Sequence, residues 1–133
     1  MREVQIDPDA LVIRFAPVTA ENVLRRAGLA HRRRAVYASS VFAGVKDSHE
    51  DDDALRARLL EASQLHGIEP VRNSKYWVCA RARDLLDLGF VFMKDGDDDE
   101  APEHFSVCLG DSPTVEDVER FLGAFTTRER RPQ

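Results

Sequence analysis

Between Val115 and Phe125 the apolar residues fall at Val115, Val118, Phe121, Leu122 and Phe125, steps of three and four that trace one face of a helix. Ser112 or Thr114 stands ahead of it at the N-cap position, where a hydroxyl accepts from an unpaired helix N–H. Upstream the pattern changes period. Phe90 to Met93 and His104 to Leu109 read as two strands of a hairpin across the Asp95-Gly96 turn region. Before them, Ser74 is placed to cap a helix over Lys75 to Leu88, with Gly89 as its stop. The first half of that stretch, Tyr76-Trp77-Val78-Cys79, also suits a strand; helix is the reading carried forward.

The N-terminal half alternates differently. Val4 to Phe15 reads as a strand interrupted at Asp7-Pro8-Asp9, with Leu11, Ile13 and Phe15 alternating with Val12 and Arg14. Thr19 is a good N-cap for a helix over Ala20 to His31, striped by Val23, Leu24, Ala27 and Ala30. Ala35 to Val45 is a nearly continuous apolar run and reads as a buried strand. Strand, helix, strand suggests a βαβ unit with parallel strands and a right-handed crossover. Asp52 or Asp53 can cap a helix over Ala54 to His66, lined by Leu55, Leu59, Ala62 and Leu65 or His66, with Gly67 at its stop.

These elements predict a small single α+β domain over residues 1–127. A mixed sheet of about four strands holds the βαβ unit and the late hairpin. Two central helices and a C-terminal helix cover one or both faces. Residues 128–133 read as a polar, Arg-rich tail that frays.

Composition narrows the function. The 133 residues fit one core, and 43% hydrophobic with 32% charged residues is globular rather than disordered. The net charge of −5 disfavours general coating of nucleic acid. Sixteen Arg against three Lys point to a GC-rich bacterial source. The opening Met1-Arg2-Glu3 does not read as a signal peptide, and no apolar run reaches the ~18 residues of a membrane span. A cytoplasmic protein without a membrane partner is expected. Cys79 and Cys108 lie in apolar segments and read as buried thiols rather than a disulfide.

Candidate chemistry is sparse. Two acidic loops, Asp47 to Asp53 and Asp95 to Glu103, lack the ligand order of a calcium loop, so they read as solvated turns. His31, His49 and His66 have no metal-ligand spacing, and the cysteines form no C-x-x-C pair, so no metal or other cofactor is expected. His104, Ser106 and Cys108 share a strand face, but roughly 13 Å separates the outer two. A nucleophile and its base need hydrogen-bond reach, so no catalytic residue is assigned. Tyr76-Trp77 reads as a core anchor. Arg25, Arg26, Arg32, Arg33 and Arg34 form a basic cluster suited to bidentate contacts with an acidic partner.

The order from Ala20 to Leu109 and the stretch ARARDLLDLGFVFMKDG…HFSV are similar to a winged helix-turn-helix domain, with a recognition helix, its Gly stop and a wing. The resemblance implies that Lys75, Arg81 and Arg83 contact nucleic acid. It is opposed by the long strand at Ala35 to Val45, the long turn at Gly67 to Ser74 and an acidic wing tip. Segregation of the Arg cluster from the acidic loops favours steering toward another protein or a second copy of the chain. The expected function is therefore a non-catalytic protein-interaction module, an adaptor, inhibitor or regulatory subunit. A winged-helix regulator and a small enzyme of unrecognised type are the alternatives.

Overall fold

The computed structural model describes residues 1–16, 19–66, 76–94 and 101–130. In chain order its elements are β1 (Arg2–Glu3), β2 (Leu11–Ala16), α1 (Ala20–Arg34), β3 (Ala38–Gly44), α2 (Asp52–His66) and β4 (Tyr76–Arg81). They continue with α3 (Ala82–Asp87), β5 (Val91–Lys94), β6 (His104–Cys108), α4 (Val115–Gly123) and β7 (Thr127–Arg130). The strands form one sheet in the order β1-β5-β6-β3-β2-β4-β7, and each pairing is antiparallel.

The α+β class is as expected, and the sheet differs from expectation in direction and size. It is wholly antiparallel rather than mixed. β2 and β3 lie side by side with Leu11 opposite Gly44 and Ile13 opposite Phe42. Continuing that register sets Ala16 level with Ser39, so α1 leaves and re-enters the sheet at the same end. Apolar periodicity specifies that a helix joins two strands; it does not specify whether the chain crosses the sheet in between.

The three strands beyond the expected four are β1, β4 and β7. The Asp7-Pro8-Asp9 interruption divides the first strand in two. Asp7 Oδ1 accepts from the Asp9 N–H at 2.8 Å, and the Ala10 N–H donates to the Asp7 carbonyl at 3.0 Å. This Asx turn sends β1 to the β5 edge while β2 enters the centre. Residues 76–81, expected as helix, form β4 between β2 and β7. Tyr, Trp, Val and Cys fit a strand buried on both faces better than a helix. The helix starts at Ala82 and ends as expected before Gly89, whose φ is 92°. Thr127 to Arg130 extend the sheet beside β4, so the tail expected from 128 begins no earlier than 131. The hairpin of β5 and β6 forms with Val91 opposite Cys108; its turn and the Gly67 stop lie outside the described residues.

Helices cover both faces. Val12, Val41, Ala80, Phe92 and Val107 pack with Val23 and Ala27 of α1, Leu85 of α3, and Val118 and Phe121 of α4. Leu11, Ile13, Phe42, Trp77 and Cys79 pack with Leu55 and Leu59 of α2. The last helix carries its expected cap: Thr114 Oγ1 accepts from the Asp117 N–H, and Asp117 Oδ2 accepts from the Thr114 N–H. α2 is capped one residue earlier than expected, by Asp51, whose Oδ1 accepts from the Ala54 N–H at 2.8 Å. Leu55, Leu59 and Ala62 are buried as expected, joined by Ser63; of the two positions expected next, Leu65 is 71% exposed and the His66 side chain lies outside the described residues. No helix among the described residues is long and apolar enough to cross a membrane.

Candidate interaction surface on the first helix

Thr19 starts α1, its hydroxyl accepting from the Asn22 N–H at 3.1 Å. Ala20, Val23 and Ala27 turn toward the sheet. Spacing then fixes what faces away. Arg25, Arg26, Leu29, Arg32 and Arg33 recur at three- and four-residue intervals on the opposite side. All five are exposed, Leu29 by 45%. The helix runs three residues beyond the expected His31, which brings Arg32 and Arg33 onto the same face as Arg25 and Arg26. It closes at Ala35 in the left-handed region, φ 60°, where the Ala35 N–H donates to the His31 carbonyl at 2.8 Å. The His31 ring stacks on Tyr37 at 4.1 Å and 16°. Arg34 ends α1.

Five other cations in the described residues are paired with carboxylates. Arg58 meets Glu50 at 2.9 Å and Glu103 at 3.5 Å. Arg120 meets Asp117, Lys46 meets Asp52, Arg56 meets Asp53 and Arg83 meets Asp9. Arg25, Arg26, Arg32 and Arg33 have no ion-pair partner among the described residues. The basic face of α1 thus presents four exposed arginines with no carboxylate partner among the described residues.

The first acidic loop is occupied within the fold. Asp47 Oδ1 accepts from the His49 N–H at 2.8 Å, Asp51 caps α2, and Glu50 grips Arg58. The Arg58 hydrogen bond, with help from the Asp47 N–H, holds the Glu50 carboxyl below its ordinary range. Arg58 also donates to the Val45 carbonyl at 2.7 Å, tying this loop to β3 and α2. Asp95 to Glu100 of the second loop lie outside the described residues. No cluster of three His, Cys, Asp or Glu able to hold a metal occurs among the described residues.

Arg81 and Arg83, expected on one recognition helix, lie on different elements, β4 and α3. Lys75 lies outside the described residues. Arg81 ends β4 and its Nη1 donates to the Asp9 carbonyl at 3.1 Å, while Arg83, on α3, pairs with the Asp9 carboxylate. Both hold the Asp7-Pro8-Asp9 turn. Trp77 is buried in the core beneath α2 rather than anchoring the late hairpin, which lies on the other side of β3 and β2. His104, Ser106 and Cys108 lie along one face of β6, but Ser106 is buried, and His104 leans on Phe42 with ring centres 5.2 Å apart. This face is on the side that α2 covers. No disulfide joins Cys79 and Cys108; the first is buried and the second half-buried. A hollow of about 260 Å³ beside Cys108 contains Asp117 and Arg120, but these pair with each other at 3.0 Å.

Arg14 escaped the sequence reading. It lies on β2 beside Val12 on the α1–α4 side and is only 9% exposed. Nη1 donates to Ser39 Oγ at 3.1 Å, and the guanidinium carbon sits 5.2 Å from the centre of the Phe121 ring. Nε is buried without a hydrogen-bond partner. Burial, and then the nearby charge of Arg26, push the Arg14 pKa down to about 10. A buried unmatched charge costs several kcal/mol and an unmet buried donor about 1–3 kcal/mol. The sequence signal was a lone cation between Ile13 and Phe15 in a strand apolar on both faces.

Comparison with protein-family models, curated proteins and solved structures finds no match to this chain.

Proposed function

We propose that this protein is a non-catalytic interaction module, an adaptor, inhibitor or regulatory subunit of a bacterial system, that docks an acidic surface of a partner protein on α1. The observation that carries this reading is the exposed face of four arginines without carboxylate partners among the described residues, centred on Leu29. Guanidinium groups form bidentate bonds to carboxylates, and charge segregation speeds encounter. Leu29 supplies the apolar contact that a purely ionic surface lacks. The partner is another protein rather than a second copy, because Glu50 and Asp51 of the first acidic loop are already engaged in holding α2.

A photo-crosslinking side chain at Leu29 tests this. The expected result is one dominant covalent partner whose linked peptide is rich in Asp and Glu. The same group at Glu61, exposed on α2, should capture it poorly. Equal capture from the two positions would remove α1 as the docking face. Recovery of this chain's own Asp47 to Asp53 peptide would replace the partner by self-association. Crosslinking to DNA in preference to protein would promote the winged-helix regulator.

A further inference from the structure

The guanidinium of Arg14 is bonded along only one of its edges. Nη1, the nitrogen on the Cδ side of the group, donates to Ser39 Oγ at 3.1 Å. The opposite edge consists of Nε and Nη2, whose N–H bonds point the same way. Nε is buried and unbonded, and no carboxylate pairs with Arg14 among the described residues. The charge acting most on it is that of Arg26, which is of like sign. Ring contact with Phe121 covers the group on the α4 side.

Two parallel N–H donors on a planar cation match the two oxygens of a carboxylate or of a phosphate group. With Ser39 holding the other edge and a second arginine nearby, the free edge is suited to a single oxyanion. We propose that the Nε–Nη2 edge of Arg14 binds such an oxyanion on the α1–α4 side of the sheet. This site rests on β2 and stands independently of docking on the outer face of α1. The group has two sources: a small free anion, or a carboxylate side chain presented by an acidic polypeptide.

The Arg14 ¹⁵Nε–¹H resonance reports on the site in the intact chain. It should shift saturably on titration with inorganic phosphate or acetate, with chloride at matched ionic strength as control. If the natural group is a polypeptide carboxylate, hexaglutamate shifts it and the small anions do not. Arg14→Lys keeps the charge and loses the paired donors, so affinity for whichever probe binds should fall at least tenfold. Arg14→Met should abolish binding and, without anion, melt no lower than the parent, because it removes an unmatched buried charge. Should Arg14→Met fail to fold, the parent's resonance decides alone. A resonance unmoved by phosphate, acetate and hexaglutamate would overturn the site. So would equal affinity in Arg14→Lys, which would assign the anion to the surface arginines.

Discussion

Phe121→Ala is expected to destabilise the fold by about 3–5 kcal/mol, a large part of the ~5–15 kcal/mol that holds a domain together. The ring is fully buried. It meets Phe90 edge-on at 5.8 Å and Phe125 at 5.4 Å, and carries Arg14 above it. Those neighbours are anchored on α4, on β2 and ahead of β5, so they cannot all collapse into the space left behind. The urea midpoint should fall sharply with an unchanged slope. An unchanged midpoint would take α4 out of the core.

The opposite face of the sheet supplies the second large effect. Leu59 is fully buried beneath α2 beside Leu55 and Ile13, whereas Leu65, on the same helix, is 71% exposed. Leu59→Ala should cost ~2–5 kcal/mol, and Leu65→Ala should stay within about 0.5 kcal/mol. The pair of thermal melts reads the rotation of α2 directly. Equal losses from both substitutions would mean that the helix buries the side the sequence suggested.

That rotation shows what the sequence discloses and what it hides. α4 was legible because its apolar spacing and the Thr114 cap agree, and Asp117 completes the capping box. The β5–β6 hairpin was legible from its two short apolar runs. β4 was not, since a strand buried on both faces loses its alternation and looks like the side of a helix. β7 was hidden for the opposite reason: Thr-Arg-Glu-Arg has no apolar pattern, and an edge strand held by backbone bonds needs none. Leu65 was misplaced because the buried side of α2 also takes in Ser63, whose hydroxyl donates to the Leu60 carbonyl at 2.6 Å and so needs no water.

The sites divide in the same way. The arginines of α1 could be counted in the sequence, and the helix had only to extend past His31 for them to share a face. In the sequence Arg14 is the one polar member of an otherwise apolar alternation. It became a buried charge once α1 and α4 on one side and α2 on the other were seen to sandwich β2. Arg81 and Arg83 illustrate the reverse, since cations that suited a nucleic-acid helix serve to hold the turn before β2.

The most direct test of docking on α1 is the association rate of the partner captured through Leu29. It should be measured at 0.1 M and 1 M salt, for the parent and for a variant with Arg25→Glu, Arg26→Glu, Arg32→Glu and Arg33→Glu. Over that range the Debye length shrinks from ~10 Å to ~3 Å. The parent's association should slow at least tenfold at high salt. The variant should be slow at both concentrations, while its melting temperature stays near the parent's, because the four side chains are exposed and pair with no carboxylate among the described residues. Association rates equal in the two proteins and indifferent to salt would contradict docking through the arginine face.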